Sequence, residues 1–209
     1  NTSEIEFHTQ SFFSLKSWSI FHKKGNYLQK VLGIVSGYFK RIGLLFRLNT
    51  YDYVYIHREA TPVGPPFIEW IISKILRKKI IYDFDDAIWI NQSSEANPFS
   101  SYFKCSWKVK YICKNSFIVT VGNPYLSQYA KQYCKDVRII PTVVDTIHSH
   151  NALKNQTEIP LTIGWTGTFT NLLNLDMVIP ALKRLKENYD FRFLIIANKN
   201  PNYKDIQYE

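Results

Sequence analysis

The stretch KKIIYDFDDAIW, residues 78–89, decides the fold. Ile80, Ile81 and Tyr82 form a short branched and aromatic run that leads straight into three carboxylates, Asp83, Asp85 and Asp86. A short apolar run of this kind reads as a buried strand. Similar runs recur on either side: YDYVYIH (51–57), SFIVTV (116–121), VRIIPTVV (137–144), LTIGW (161–165) and FRFLIIA (191–197), with a further candidate at IEFHTQSFF (5–13). Most are separated by helical patterns. PPFIEWIISKILRKK (65–79) opens with two prolines in first-turn positions, WKVKYICKNS (107–116) follows, and NPYLSQYAKQYCKD (123–136) starts with Asn123 as cap and Pro124 at the first helical position. Strand, helix, strand at this spacing predicts βαβ units and a parallel sheet covered on both faces.

In an open parallel sheet the ligand site lies beyond the carboxyl ends of the strands. Three strands place polar residues there: His57, Arg58 and Glu59 after the first; Asp83, Asp85 and Asp86 after the second; Thr120, Gly122 and Asn123 after the third. The three aspartates repel one another. At 4 Å and an effective dielectric near 20, two unit charges interact by about 4 kcal/mol, so at least one is expected to be paired or to have a raised pKa, with Arg58 as the partner. Asp83 also reads as a hydrogen-bond anchor for the loop that follows it.

The chain of 209 residues, 45% of them hydrophobic, is long for one domain and short for two. It starts at Asn and stops soon after one βαβ unit, which suggests a piece of something larger. We expect a first Rossmann-like domain over 1–145, lacking its first strand. A polar, aperiodic linker over 146–160 ends at Pro160, and a second Rossmann-like domain begins over 161–209. There LTIGWTGTF enters a loop with Gly164 and Gly167, followed by a helix over 171–189. A glycine turn before a helix N-terminus suits an anion, because free backbone NH groups and the helix dipole face it; a plain turn fits the same residues.

Three cysteines, Cys105, Cys113 and Cys134, have no CxxC or Cys/His spacing and predict neither a disulfide framework nor a zinc site. A reducing, cytoplasmic setting follows. No signal peptide or bilayer-spanning run is visible. Part of the +9 net charge is concentrated near the N-terminus: no acidic residue lies between Glu6 and Asp52, where Lys16, Lys23, Lys24, Lys30, Lys40, Arg41 and Arg47 fall. The same segment is apolar at helical spacing over 24–48, although Gly33, Gly37 and Gly43 each weaken a helix by about 1 kcal/mol. It reads either as a core helix with a solvated basic back or as an amphipathic helix resting on an anionic membrane surface from the inner side, through Lys23, Lys24, Lys30, Lys40, Arg41 and Arg47. No nucleic-acid motif accompanies the charge.

The combination IHREATPVGPPFIEW, KKIIYDFDDAIW, VTVGNPYLSQYA, IIPTVVDT and IGWTGTFTNL resembles glycosyltransferase family 4, the retaining enzymes of GT-B architecture. The resemblance runs from about residue 50 to the C-terminus. It implies an acceptor domain first and a nucleotide-sugar domain second, with a nucleotide-sugar as co-substrate, no metal, and a saccharide or lipid-linked saccharide as acceptor, as in cell-surface polysaccharide synthesis. Asp85 occupies the place where family members often carry a sugar-contacting His. It implies catalytic roles for Asp85, Asp86 and His57, acceptor contacts from Arg58, Glu59, Asp83, Asn123 and Trp89, and donor contacts from Gly164, Thr166, Gly167, Thr168 and Lys199. The loop after LTIGW has no basic residue, unlike the family, and Lys199 is the nearest substitute.

Two readings compete. An apolar strand ending in DxD also resembles the first motif of haloacid-dehalogenase-like Mg²⁺-dependent phosphatases, with Asp83 as nucleophile and Asp85 as acid, though Ala87 stands where a Thr or Val belongs. A non-catalytic binding module is the other. His148 and His150 read as an incidental HxH pair, and Trp70 and Trp107 as core residues on helical faces. Trp89 and the loop after it suit carbohydrate.

Overall fold

The computed structural model describes residues 5–21, 23, 25–90, 105–153, 157, 159–168 and 171–209. It divides into two compact units, Asn1–Val143 and Val144–Glu209.

The first unit is built on a four-stranded parallel sheet in the order β1-β2-β3-β4: β1 Tyr53–His57, β2 Lys79–Phe84, β3 Ile118–Val121 and β4 Val137–Ile139. Pairing sets His57 beside Asp83, Asp83 beside Thr120, and Thr120 beside Arg138, so these four side chains form one row across the sheet. Alternation along a strand sends neighbours to opposite faces. Ile80, Tyr82 and Phe84 of β2 are fully buried, and with Ile56, Val119 and Val121 they form the main core. Against them pack α3 (Phe67–Trp70), which continues as a π-helical turn over Ile71–Ile75, α4 (Lys108–Asn115) and α5 (Pro124–Ala130). Each fully buried Ile or Phe contributes about 1.5–3 kcal/mol. The chain is thus α/β with a parallel sheet and flanking helices, compatible with a Rossmann-like fold.

The opposite face departs from expectation. Tyr53 and Tyr55 are about half exposed, and Ile81 and Asp83 are only partly covered, so the sheet is not buried on both faces at β1 and β2. The predicted N-terminal strand is also absent: residues 5–14 are irregular, and Phe12 and Phe13 turn inward instead. They pack on α2 (Tyr27–Leu45), where a β-carbon added to Gly37 would meet the Phe12 ring at 2.5 Å and one added to Gly33 would lie 3.1 Å from Ser17. The glycines therefore face inward, and the short helix α1 (Leu15–Phe21) lies beside them. The helix expected over 65–79 stops at the π-helical turn, with Arg77 in the left-handed region at φ 51°. Trp70 and Trp107 are about half exposed and not core.

In the second unit β5 (Leu161–Gly167) and β6 (Phe191–Ala197) pair in parallel over seven positions. The expected helix over 171–189 is broken into α6 (Leu172–Asp176) and α7 (Ile179–Lys186), because Pro180 fits a first turn but not a helix interior. Leu172, Leu175, Ile179, Leu182, Phe191, Phe193 and Ile206 form this unit's core. Among the described residues of 146–160 there is no helix or strand, and Asp145 holds the turn that opens it by accepting from the Ile147 and His148 amides at 3.0 and 2.9 Å.

Candidate functional site

The carboxyl ends of β1, β2 and β3 bring together His57, Arg58, Asp83, Asp85, Asp86, Thr120 and Gly122. The three aspartates separate by role. Asp83 lies in the sheet row: His57 Nδ1 sits 2.8 Å from its Oδ2 and the Thr120 hydroxyl donates to its Oδ1 at 2.5 Å. Burial pushes the Asp83 carboxyl up, but hydrogen bonds from Thr120, His57 and Tyr55 outweigh it and hold the pKa below the usual aspartate value. The same contact, with burial as the main cause, raises the Tyr55 phenol to about 12. Asp86 pairs with Arg58 at 2.7 Å. Asp85 is exposed, packs its backbone near Gly122, and among the described residues its carboxylate has no hydrogen-bond partner. The expected Arg58 partnership thus falls on Asp86, and Asp83 is lowered by its donors, not raised by its neighbours. With Nδ1 turned to Asp83, His57 leaves Nε2 open, and its side chain is half exposed.

A depressed carboxylate contributes stability that is fully present above its unfolded pKa and is lost as pH falls through the folded value. For Asp83 that window lies below about pH 4. We therefore expect Asp83→Asn to flatten the acid limb of the unfolding free energy below about pH 4 relative to wild type; an unchanged limb in urea titrations at stepped pH refutes the assignment.

The loop after β1 is held from all sides. Arg58 itself is in the left-handed region at φ 63°, a conformation costing a non-glycine residue about 1 kcal/mol or more. Tyr82 donates to its carbonyl at 2.7 Å. Arg41 Nε donates to the Ala60 carbonyl at 2.8 Å while Glu69 accepts from the Ala60 amide at 2.9 Å. The buried Lys108 ammonium donates to the Thr61 carbonyl at 2.7 Å and pairs with Glu59 at 2.7 Å, and the Tyr38 hydroxyl donates to Val63. Gly64, at φ +84°, closes the loop where a β-carbon would sit 2.9 Å from that hydroxyl. Burial pushes the Glu69 carboxyl up, opposed by the Ala60 amide and the nearby Lys108 charge.

This network gives three of the expected contact residues partners within the protein. Glu59 pairs with Lys108. Arg41 donates into the loop and to Gln10. Asn123 caps α5, its Oδ1 accepting from the Leu126 amide at 3.0 Å. Lys108 and Glu69 were missed as site-supporting residues. The signal was their helical phase: Lys108 shares a face with Ile112, and Glu69 with Ile72.

In the second unit Gly164 and Thr166 lie within β5, not in a loop, and the turn begins at Thr168. Gly164, Thr166 and Thr168 share the exposed face of the strand, whereas Gly167 faces the Trp165 ring, which an added β-carbon would strike at 2.6 Å. Lys199 is exposed just beyond β6. The helix after the turn has only five residues, too short for a strong dipole. Lys24 and the loop after Ile90 lie outside the described residues.

Trp89 lies on the outer side of α5, stacked on Tyr129. A cavity of about 390 Å³ between Asn49, Tyr53, Arg77 and Lys79 opens at the amino ends of β1 and β2, away from these groups. His148 Nδ1 lies 3.4 Å from Asp145 Oδ2. Cys105, Cys113 and Cys134 form no disulfide with one another, and burial raises the Cys113 thiol to about 12. Among the described residues no cluster of three or more His, Cys, Asp or Glu side chains is placed to hold a metal, and no helix is long and apolar enough to cross a membrane. No protein-family model and no curated protein sequence matches the chain.

Proposed function

We propose that the chain is part of a nucleotide-sugar-dependent glycosyltransferase of GT-B type, whose first unit holds a saccharide or lipid-linked saccharide acceptor. The observation that carries this reading is the division among the strand-end carboxylates: Asp83 is engaged by His57 and Thr120 and Asp86 by Arg58, whereas Asp85, at the end of the same strand, has no hydrogen-bond partner among the described residues. An open carboxylate and an imidazole at a sheet's carboxyl edge suit sugar hydroxyls, which both donate and accept. Asp85 accepts from an acceptor hydroxyl and His57 Nε2 orients a second one, so that the reacting oxygen is held in one geometry. In the second unit Thr166, Thr168 and Lys199 supply hydroxyl and ammonium donors for the donor's phosphates. The phosphatase reading is weakened by the aim of Asp83. Both its oxygens are turned across the sheet, whereas an attacking carboxylate needs an oxygen directed at the substrate.

The test is nucleoside diphosphate release by the chain, in its longest expressible form, across UDP-, GDP- and ADP-sugars. Release with one donor is expected. Silence with all of them, joined to Mg²⁺-dependent phosphate ester hydrolysis that Asp83→Asn abolishes, overturns the reading in favour of the phosphatase.

The acceptor's lipid link draws support from α2. Gly33 and Gly37 face inward, and Leu28, Val31, Leu32, Val35, Phe39, Ile42 and Phe46 are all exposed, with Lys23 and Arg47 near its ends. Each basic residue near anionic headgroups contributes about 1 kcal/mol. Vesicles containing phosphatidylserine should retain the protein at low salt and release it as salt screens the charge, with Phe39→Asp weakening retention. Equal retention by pure phosphatidylcholine, or none by either, sinks this part.

A further inference from the structure

Two rows of side chains on the outer side of α5 form a groove with Trp89, away from the aspartates of the candidate site. Tyr125 and Tyr129 are one helical turn apart, and so are Gln128 and Gln132, so rings and amides run side by side. Trp89 lies flat on Tyr129, with ring centroids 3.7 Å apart and planes 3° from parallel, and extends toward Tyr125 at 6.1 Å and 27°. Phe84, fully buried, meets Trp89 edge-on at 5.9 Å and fixes it from beneath. Together Trp89, Tyr125, Gln128, Tyr129 and Gln132 line a cavity of about 160 Å³. Tyr125 is 59% exposed, which leaves its ring and hydroxyl open.

The chemistry of the lining selects its occupant. Among the described residues no charged side chain lines the groove, although the protein carries a net charge of +9. A phosphate or an anionic lipid headgroup would find no countercharge there. A purely apolar ligand would strip water from two amides and a phenol without replacing their hydrogen bonds. A pyranose has an apolar C–H face that lies on an aromatic ring and a rim of hydroxyls that donate and accept, matching an amide that does both.

We propose that this groove is a binding subsite for a neutral pyranose. Its walls spring from the strand ends that carry the candidate site: Trp89 follows Asp85 and Asp86 on the chain, and α5 starts directly after Gly122 and its Asn123 cap. Its role as a hold on a distal sugar of the acceptor rests on the glycosyltransferase reading; its affinity for a sugar does not.

The experiment titrates the full chain, without any nucleotide-sugar, with maltopentaose, cellopentaose, laminaripentaose, mannopentaose and chitopentaose, read by saturation-transfer NMR and calorimetry. At least one should bind saturably. Tyr125→Ala, an exposed position whose thermal midpoint confirms folding, should weaken that binding about tenfold or more, a loss of about 1.4 kcal/mol. Gln128→Ala should weaken it and Lys110→Ala should not. No saturable binding by any member, or binding that Tyr125→Ala leaves intact, overturns the subsite. Saccharide binding together with silence in the donor panel keeps the subsite and removes the transferase role.

Discussion

Replacing Lys108 with Met should cost the chain about 3 kcal/mol of unfolding free energy, and up to about 5. Met matches the length of the lysine stem, so packing survives; what is lost is the ammonium. That group is 2% exposed and sits 2.7 Å from both Glu59 Oε2 and the Thr61 carbonyl. Removing it leaves a carboxylate that is only 22% exposed without its countercharge, and a buried carbonyl without its donor. Partial solvent access to Glu59 places the expectation at the lower end. Pairing the change with Glu59→Gln should recover part of the loss, because no bare charge then remains. Urea unfolding measures both. A single-variant cost under about 1 kcal/mol would mean that water reaches the cluster and that the loop is not held by it.

On the proposed transferase role, Asp85→Asn should lower turnover by about 100-fold to 10,000-fold, the range for loss of a positioned acid–base group, while leaving stability within about 0.5 kcal/mol. The stability half follows from exposure and from the absence of a hydrogen-bond partner for its carboxylate among the described residues. The contrast with its neighbours makes the expectation specific. Asp86→Asn breaks an ion pair whose members are 43% and 64% exposed, a contact worth no more than about 1 kcal/mol. Asp83→Asn disturbs His57 and Thr120 together and should affect folding and turnover alike. The assay is nucleoside diphosphate release with whichever donor the panel identifies. Turnover that survives Asp85→Asn but not Asp86→Asn would move the centre of the site to the Arg58 pair.

The strands were legible because each is a short apolar run with its own turn signals, and β1 to β3 fall where YVYIH, KIIYDF and IVTV put them. The parallel order followed from the helical patterns between them. Where the reading failed, a non-local partner had decided the outcome. Ile5 and Phe7 alternate as a strand would, but Phe12 and Phe13 are drawn to the glycine face of α2, and no strand among the described residues pairs with residues 5–14. Gly164 looked like the start of a loop, yet β6 pairs with it at Leu194 and keeps it extended. The helix over 171–189 was too long by one proline. At the site, the convergence of polar strand ends was readable, but the sorting of the aspartates was not: it depends on register, which sets Thr120 and His57 on either side of Asp83. Lys108 drew no reading from the sequence, because sequence does not reveal that the Thr61 carbonyl lies opposite it.

The inward glycines of α2 also set the order in which the first unit comes apart. A helix with Gly33, Gly37 and Gly43 gives up about 1 kcal/mol at each relative to alanine, and Phe12 and Phe13 lying on the first two are what offset that loss. The irregular N-terminal segment and α2 therefore stabilise each other through Phe12 and Phe13, and neither has reason to stay closed once the other lifts. They open as one cooperative piece, while the amides of β2, sealed between two strands, open only with the whole unit.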